Sequence, residues 1–92
     1  MNRKDRKFGI GSIVIHFKGG VYRIEEFARN TETSELMVVY RELRAPYYCY
    51  AMEEERFCSL VDHQKYPNAT RLYRFEKLSK EEAVEYDRQR AN

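Results

Sequence analysis

Between residues 11 and 43 the chain alternates short apolar runs with tight polar turns, and this rhythm constrains the fold more than any other feature. Ile13-Val14-Ile15-His16-Phe17 runs into Lys18-Gly19-Gly20, after which Val21-Tyr22-Arg23-Ile24 starts a second run. Thr31-Glu32-Thr33-Ser34-Glu35 is a polar turn, and Leu36-Met37-Val38-Val39-Tyr40-Arg41 resumes the apolar pattern. Runs rich in β-branched and aromatic residues, bounded by Gly, Ser and acidic residues, signal strands joined by hairpins. The chain reads as a small β-rich domain.

Parity along the first run places Ile13, Ile15 and Phe17 on one face and Val14, His16 and Lys18 on the other. The first set is the expected core. Gly19-Gly20 supplies positive φ at little steric cost and so reads as a hairpin turn. In the second run Tyr22 and Ile24 share a face, yet Phe27 falls on the opposite parity, and a bulge near Glu25-Glu26 would restore the register. Met37-Val38-Val39-Tyr40 reads as an interior strand covered on both faces. Pro46 cannot donate to a ladder, so a fourth strand is expected only after it, over residues 47–52. Residues 53–61 read as a helical turn with Phe57, Leu60 and Val61 on one face, residues 62–70 as a polar loop, and residues 71–76 as the closing strand. Ser79 and Glu82 form a capping box that starts a last helix, with Leu78 and Ala83 at the staple positions.

These elements add up to a mainly β fold: a small curled antiparallel sheet, an SH3-like barrel of about five strands, with a short helical turn and a C-terminal helix outside it. Ninety-two residues suit one domain, with the ordered β part at about 8–77 and the helix at about 79–90. The basic start, up to Lys7, has no apolar periodicity and is expected to fray.

The hydrophobic share of 42% is concentrated in large side chains, with eight Tyr and five Phe, which bury the most area per position. No run approaches the roughly 18 apolar residues of a membrane span, and the first residues lead into no signal segment, so a cytoplasmic location is expected. Cys49 and Cys58 match neither a zinc spacing nor a C-x-x-C pair, which reads as two reduced thiols. A net charge of +2 is too small to argue for nucleic acid by itself. No nucleophile elbow, phosphate loop or metal-protease motif is present, so no enzyme class, metal or cofactor receives support.

Several residues could still carry chemistry. His16 and Lys18 share a strand face beside the Gly19-Gly20 turn and could hold an anionic ligand; the alternative is a solvated strand face. Glu32 and Thr33 offer hydrogen-bonding groups, although such turn residues ordinarily satisfy local backbone amides. Tyr40 and Arg41 could form a stacking and phosphate-facing pair, or point one to the core and the other to water. Tyr47, Tyr48 and Tyr50, interleaved with Arg44 and Arg56, resemble the aromatic and basic mixture of single-strand nucleic-acid sites, and packing explains them equally well.

With these residues laid out, the chain resembles a small bacterial and phage domain family of unknown function, with an H-[FY]-K-G-x-x-Y segment, a T-E-T-x-E turn and a V-V-Y-R-x-L strand. His16-Phe17-Lys18-Gly19-Gly20-Val21-Tyr22, Thr31-Glu32-Thr33-Ser34-Glu35 and Val38-Val39-Tyr40-Arg41-Glu42-Leu43 carry the resemblance. Similar sequences have a Trp followed by Arg-Pro where this chain has Tyr50, Met52 and Glu53. The resemblance implies a compact β domain with a polar cluster built from the first two segments, and it brings no activity with it.

The leading expectation is a non-catalytic binding module whose polar pocket takes an anionic or nucleotide-like ligand, or a short nucleic-acid segment. Lys18 and Arg41 would take negative charge, Tyr40 would stack, and His16, Glu32 and Thr33 would orient the ligand. The second reading is a protein-interaction module that docks a peptide strand, or a second copy as a homodimer, through residues 47–50. An enzymatic reading would need His16 and Glu32 within reach of one another.

Overall fold

The computed structural model describes residues 8–90, apart from the side chains of residues 87, 89 and 90. The basic start up to Lys7 lies outside the described residues. Five strands form one sheet: β1 (Ile13–His16), β2 (Val21–Arg29), β3 (Leu36–Glu42), β4 (Cys49–Glu53) and β5 (Phe75–Lys77). A short helix α1 (Glu54–Phe57) follows β4, and α2 (Lys80–Arg90) ends the described chain. Every neighbouring pair is antiparallel, in the order β4-β3-β2-β1-β5. β4 and β5 do not pair with each other, so the sheet is open where a barrel was expected.

The gap is partly filled by α1 and the chain after it. Val61 N–H donates to the Leu72 carbonyl and Arg74 N–H to that of Ser59, while Phe17 N–H donates to the carbonyl of Arg74. Residues 59–61 and 72–74 thus extend the hydrogen bonding beyond β1 as irregular backbone. The expected helical turn ends at Phe57 rather than Val61. Leu60, placed with the core by helical spacing, instead bridges Tyr73 in extended geometry and is exposed.

Tyr40 on β3 and Phe75 on β5 stand three strand spacings apart, about 14 Å in a flat sheet. Their rings meet at 5.3 Å, so the sheet curls around them. A bulge supports that bend: Ile24 faces Tyr40 while Glu26 faces Val39, leaving Glu25 as the extra residue. The bulge returns Phe27 to the inner face beside Val38, where it packs against the core.

Val14, Ile24, Val38, Tyr40, Phe57, Cys58 and Phe75 form that core. The parity expected along β1 is right but its faces are exchanged: Val14 is buried, whereas Ile13, Ile15 and Phe17 are half-buried. Both faces of β1 are apolar, and only the Val14 face meets the aromatic cluster. The Ile13 and Ile15 face borders α2, whose Ala83 and Tyr86 are half-buried and whose Val84 is exposed. The capping box forms as its sequence implies: Ser79 N–H donates to Glu82 Oε1 at 3.0 Å, and Glu82 N–H to Ser79 Oγ at 3.1 Å.

Candidate functional site

The six residues expected to line one pocket do not share one. β2 runs for nine residues, about 30 Å at strand rise, with the His16–Lys18 corner at its start and the Glu32–Thr33 turn at its far end. The intended hollow and the His16–Glu32 pairing both fail on this separation. Glu32 and Thr33 serve their own turn: both backbone N–H groups donate to Asn30 Oδ1, at 2.8 and 3.2 Å, and Thr33 Oγ1 accepts from Glu35 N–H.

Tyr40 pairs with Ile24 and Tyr50 on the inner face and is only 7% exposed. It packs the core and offers no free ring for stacking. Arg41, one residue on, faces the other way, as alternation demands. Its Nε donates to Glu25 Oε1 at 2.8 Å and its Nη1 to the Tyr47 carbonyl at 2.9 Å. Hydrogen bonds from Arg23 and Arg41 hold the Glu25 carboxyl below its usual range. Arg41 is thus committed to a local network on the opposite face from His16.

His16 and Lys18 stand in a richer setting. The His16 ring lies 4.6 Å from Phe17 and 4.9 Å from Phe75, centre to centre. Its Nδ1 accepts the Lys18 N–H at 3.1 Å, which leaves the ring proton on Nε2 in the neutral form. Burial lowers the imidazole below its ordinary value, and the positive charges of Arg74 and Lys18 lower it further.

The loop after α1 completes this corner. Asp62 Oδ1 accepts the N–H groups of Gln64 and Lys65, and the Asp62 carbonyl accepts that of Tyr66. This turn sets Tyr66 edge-on to Phe17 at 5.0 Å. Lys18 Nζ lies 4.8 Å from the centre of the Tyr66 ring and Lys65 Nζ 5.5 Å from it. The Lys18 ammonium, as hydrogen-bond partner and as charge, holds the Tyr66 hydroxyl below its ordinary value.

Arg74 arrives from the segment before β5. Glu76 shapes that segment by accepting the N–H groups of Leu72 and Tyr73, each at 3.1 Å, together with Arg71 Nη1 at 2.9 Å. These bonds, that of Tyr73 foremost, keep the Glu76 carboxyl low. Arg74 Nε donates to Ser59 Oγ at 3.3 Å. Among the described residues no carboxylate forms an ion pair with Lys18, Lys65 or Arg74.

The result is a row of rings, Phe75, His16, Phe17 and Tyr66, edged by three cations. Phe17, Lys65, Tyr66 and Arg74 were not among the candidate ligand residues of the sequence, where Phe17 was instead expected in the core. An aromatic residue beside Pro67 within a polar loop was the available signal for Tyr66; Arg74 was marked only as part of the Arg74-Phe75 pair that fits the resembled family's closing strand, and its place at this corner depends on the bend set by Glu76.

His16 supplies a direct check. Its NMR titration midpoint is expected below 6.5, the unperturbed value. Because the folded-state value is lowered, this contribution to stability is complete above pH 6.5 and is lost as pH falls through the folded value. His16→Gln should remove that part of the acid sensitivity. A midpoint at or above 6.5 contradicts the corner as described.

The fold and this corner define a class: a small, open antiparallel β module with an aromatic core and a basic, ring-lined end. The chain belongs to the family described as Protein of unknown function (DUF1653), whose model matches residues 12–77. That span holds all five strands and α1 and stops before α2. No curated protein and no solved structure matches the chain. Among the described residues no helix is long and apolar enough to cross a membrane.

Proposed function

We propose that the protein is a non-catalytic binding module for a nucleotide-like anion, held at the corner formed by His16, Phe17, Lys18, Lys65, Tyr66 and Arg74. The scaffold is read as SH3-like, its short strands curling around one aromatic core. The observation that carries the reading is the position of the two lysine ammonium groups against the half-buried Tyr66 ring, with no carboxylate among the described residues ion-paired to either. A ring next to unpaired cations offers stacking to a base and charge to its phosphate. The fields of Arg74 and Lys18 at the imidazole support the same conclusion from a different side chain. A neutral His16 with Nε2–H then contributes a hydrogen-bond donor at the inner edge of the corner.

Calorimetry with inorganic phosphate, adenosine monophosphate and a short oligothymidylate tests the proposal and separates a free nucleotide from a single strand. Binding is expected for at least one nucleotide probe. Lys18→Ala should weaken it about tenfold, the loss of one charge-assisted contact of about 1.5 kcal/mol. Arg41→Ala, on the other face, should leave affinity unchanged. No binding of any probe, or equal loss in the Lys18 and Arg41 variants, removes the site.

A further inference from the structure

The edge of β4 carries a second inference, independent of the ligand corner. Glu42 N–H donates to the Tyr48 carbonyl at 2.9 Å, and this bond fixes the phase of the β3–β4 ladder. Antiparallel pairs alternate between hydrogen-bonded and non-hydrogen-bonded, so residues 48, 50 and 52 turn their backbone groups toward β3. Cys49 and Ala51 turn both N–H and C=O outward, and Glu53 turns its N–H outward. No backbone hydrogen bond among the described residues takes these groups.

Open edges are ordinarily protected by charge, proline or brevity. β5, the other edge, has only Phe75, Glu76 and Lys77. β4 begins with four uncharged residues, Cys49-Tyr50-Ala51-Met52, the first three of them exposed. Tyr47 and Tyr48, just before it, are 51% and 60% exposed.

We propose that β4 pairs antiparallel with β4 of a second copy, about a twofold axis at Ala51. In that register the two Ala51 residues exchange both backbone bonds, and each Glu53 N–H reaches the Cys49 carbonyl of the other copy. Charge complementarity favours a second copy over an unrelated strand. Arg41 pairs across β3–β4 with Cys49 and shares its face, and Cys49 in turn faces Glu53 of the second copy. A small cysteine thus lies between a carboxylate and a guanidinium about 9.6 Å apart along the sheet. Arg41 keeps its Nε on Glu25 and its Nη1 on the Tyr47 carbonyl, so the second copy's Glu53 would meet its Nη2. The arrangement repeats on the other side of the axis.

Light scattering after size exclusion should give the mass of two chains. Ala51→Pro removes an N–H that β3 does not use, and should give a single chain with an unchanged far-UV circular dichroism spectrum. In a Cys49→Ser background, Ala51→Cys should form an intermolecular disulfide on oxidation, because a hydrogen-bonded pair sets Cα atoms at about 5.5 Å, within disulfide range. Native Cys49 should not crosslink, since the register separates the two by about 14 Å. A single-chain mass at the highest attainable concentration overturns the proposal. So does a dimer in which Ala51→Cys fails to crosslink, which places the interface elsewhere and keeps the test valid if the proline variant does not fold.

Discussion

Phe57→Ala is expected to cost about 3–5 kcal/mol, the range for emptying a buried phenylalanine site. The Phe57 side chain is fully buried, stacks on Phe75 at 4.0 Å with the rings nearly parallel, and meets the rings of Phe8 and Tyr40 at 5.6 and 5.3 Å. It is the ring that α1 inserts into the curl, so its loss leaves a void bordered by aromatic side chains that cannot close over it. A chain of this length has a total stability of about 5–14 kcal/mol. Urea denaturation should therefore show a midpoint lowered by about a fifth or more. A loss below about 1 kcal/mol would mean that α1 does not plug the sheet as described.

Gly20→Ala is the second large effect and arises from crowding rather than from a void. A Cβ at position 20 would lie 2.7 Å from Tyr22 Oη and 3.0 and 3.1 Å from two atoms of its ring. The end of a tyrosine could ordinarily swing aside. Here the ring is held between Tyr40 at 5.1 Å, Phe75 at 5.8 Å and Tyr50 at 6.2 Å, and Tyr50 is itself fixed by donating to Glu42 Oε1 at 2.6 Å. That hydrogen bond pushes the Tyr50 hydroxyl up to about 12. The substitution should cost about 1–3 kcal/mol, as overpacking does. Tyr22→Phe removes the closest atom and should recover part of the loss in a double-mutant cycle. Strict additivity of the two substitutions would refute the contact.

The strand rhythm was legible because each run has period two and each turn has its own chemistry. The bulge at Glu25 was also legible, since Phe27 on the wrong parity required an extra residue. The exchange of faces along β1 was not: Ile13, Val14 and Ile15 are all apolar, and the choice between faces is made by Phe57 and Phe75, which arrive from later in the chain. The closing strand came out shorter than its pattern because Glu76 bends residues 71–74 through side-chain acceptance, a long-reaching effect that periodicity does not encode.

The site was half legible. His16 and Lys18 do flank the glycine turn, but His16 lies on the core face of β1 against Phe75, and Lys18 lies in the turn beyond the end of the strand. Glu32 and Thr33 were grouped with them only on the supposition that two hairpin ends meet, and the length of β2 forbids it. Tyr40 and Arg41 follow the plain alternation of a strand, core for one and ion pairing for the other. What completes the corner, Tyr66 and Arg74, depends on turns built by Asp62 and Glu76 carboxylates.

The central claim is that the ring-lined basic corner binds a nucleotide-like anion. Amide chemical-shift mapping of the full chain during titration with adenosine monophosphate and with oligothymidylate tests it most directly. The expected perturbations cluster at residues 16–20, 65–66 and 74, with the His16 ring signals moving in step. Perturbations centred on residues 30–35, or none at saturating concentrations of both probes, would contradict it.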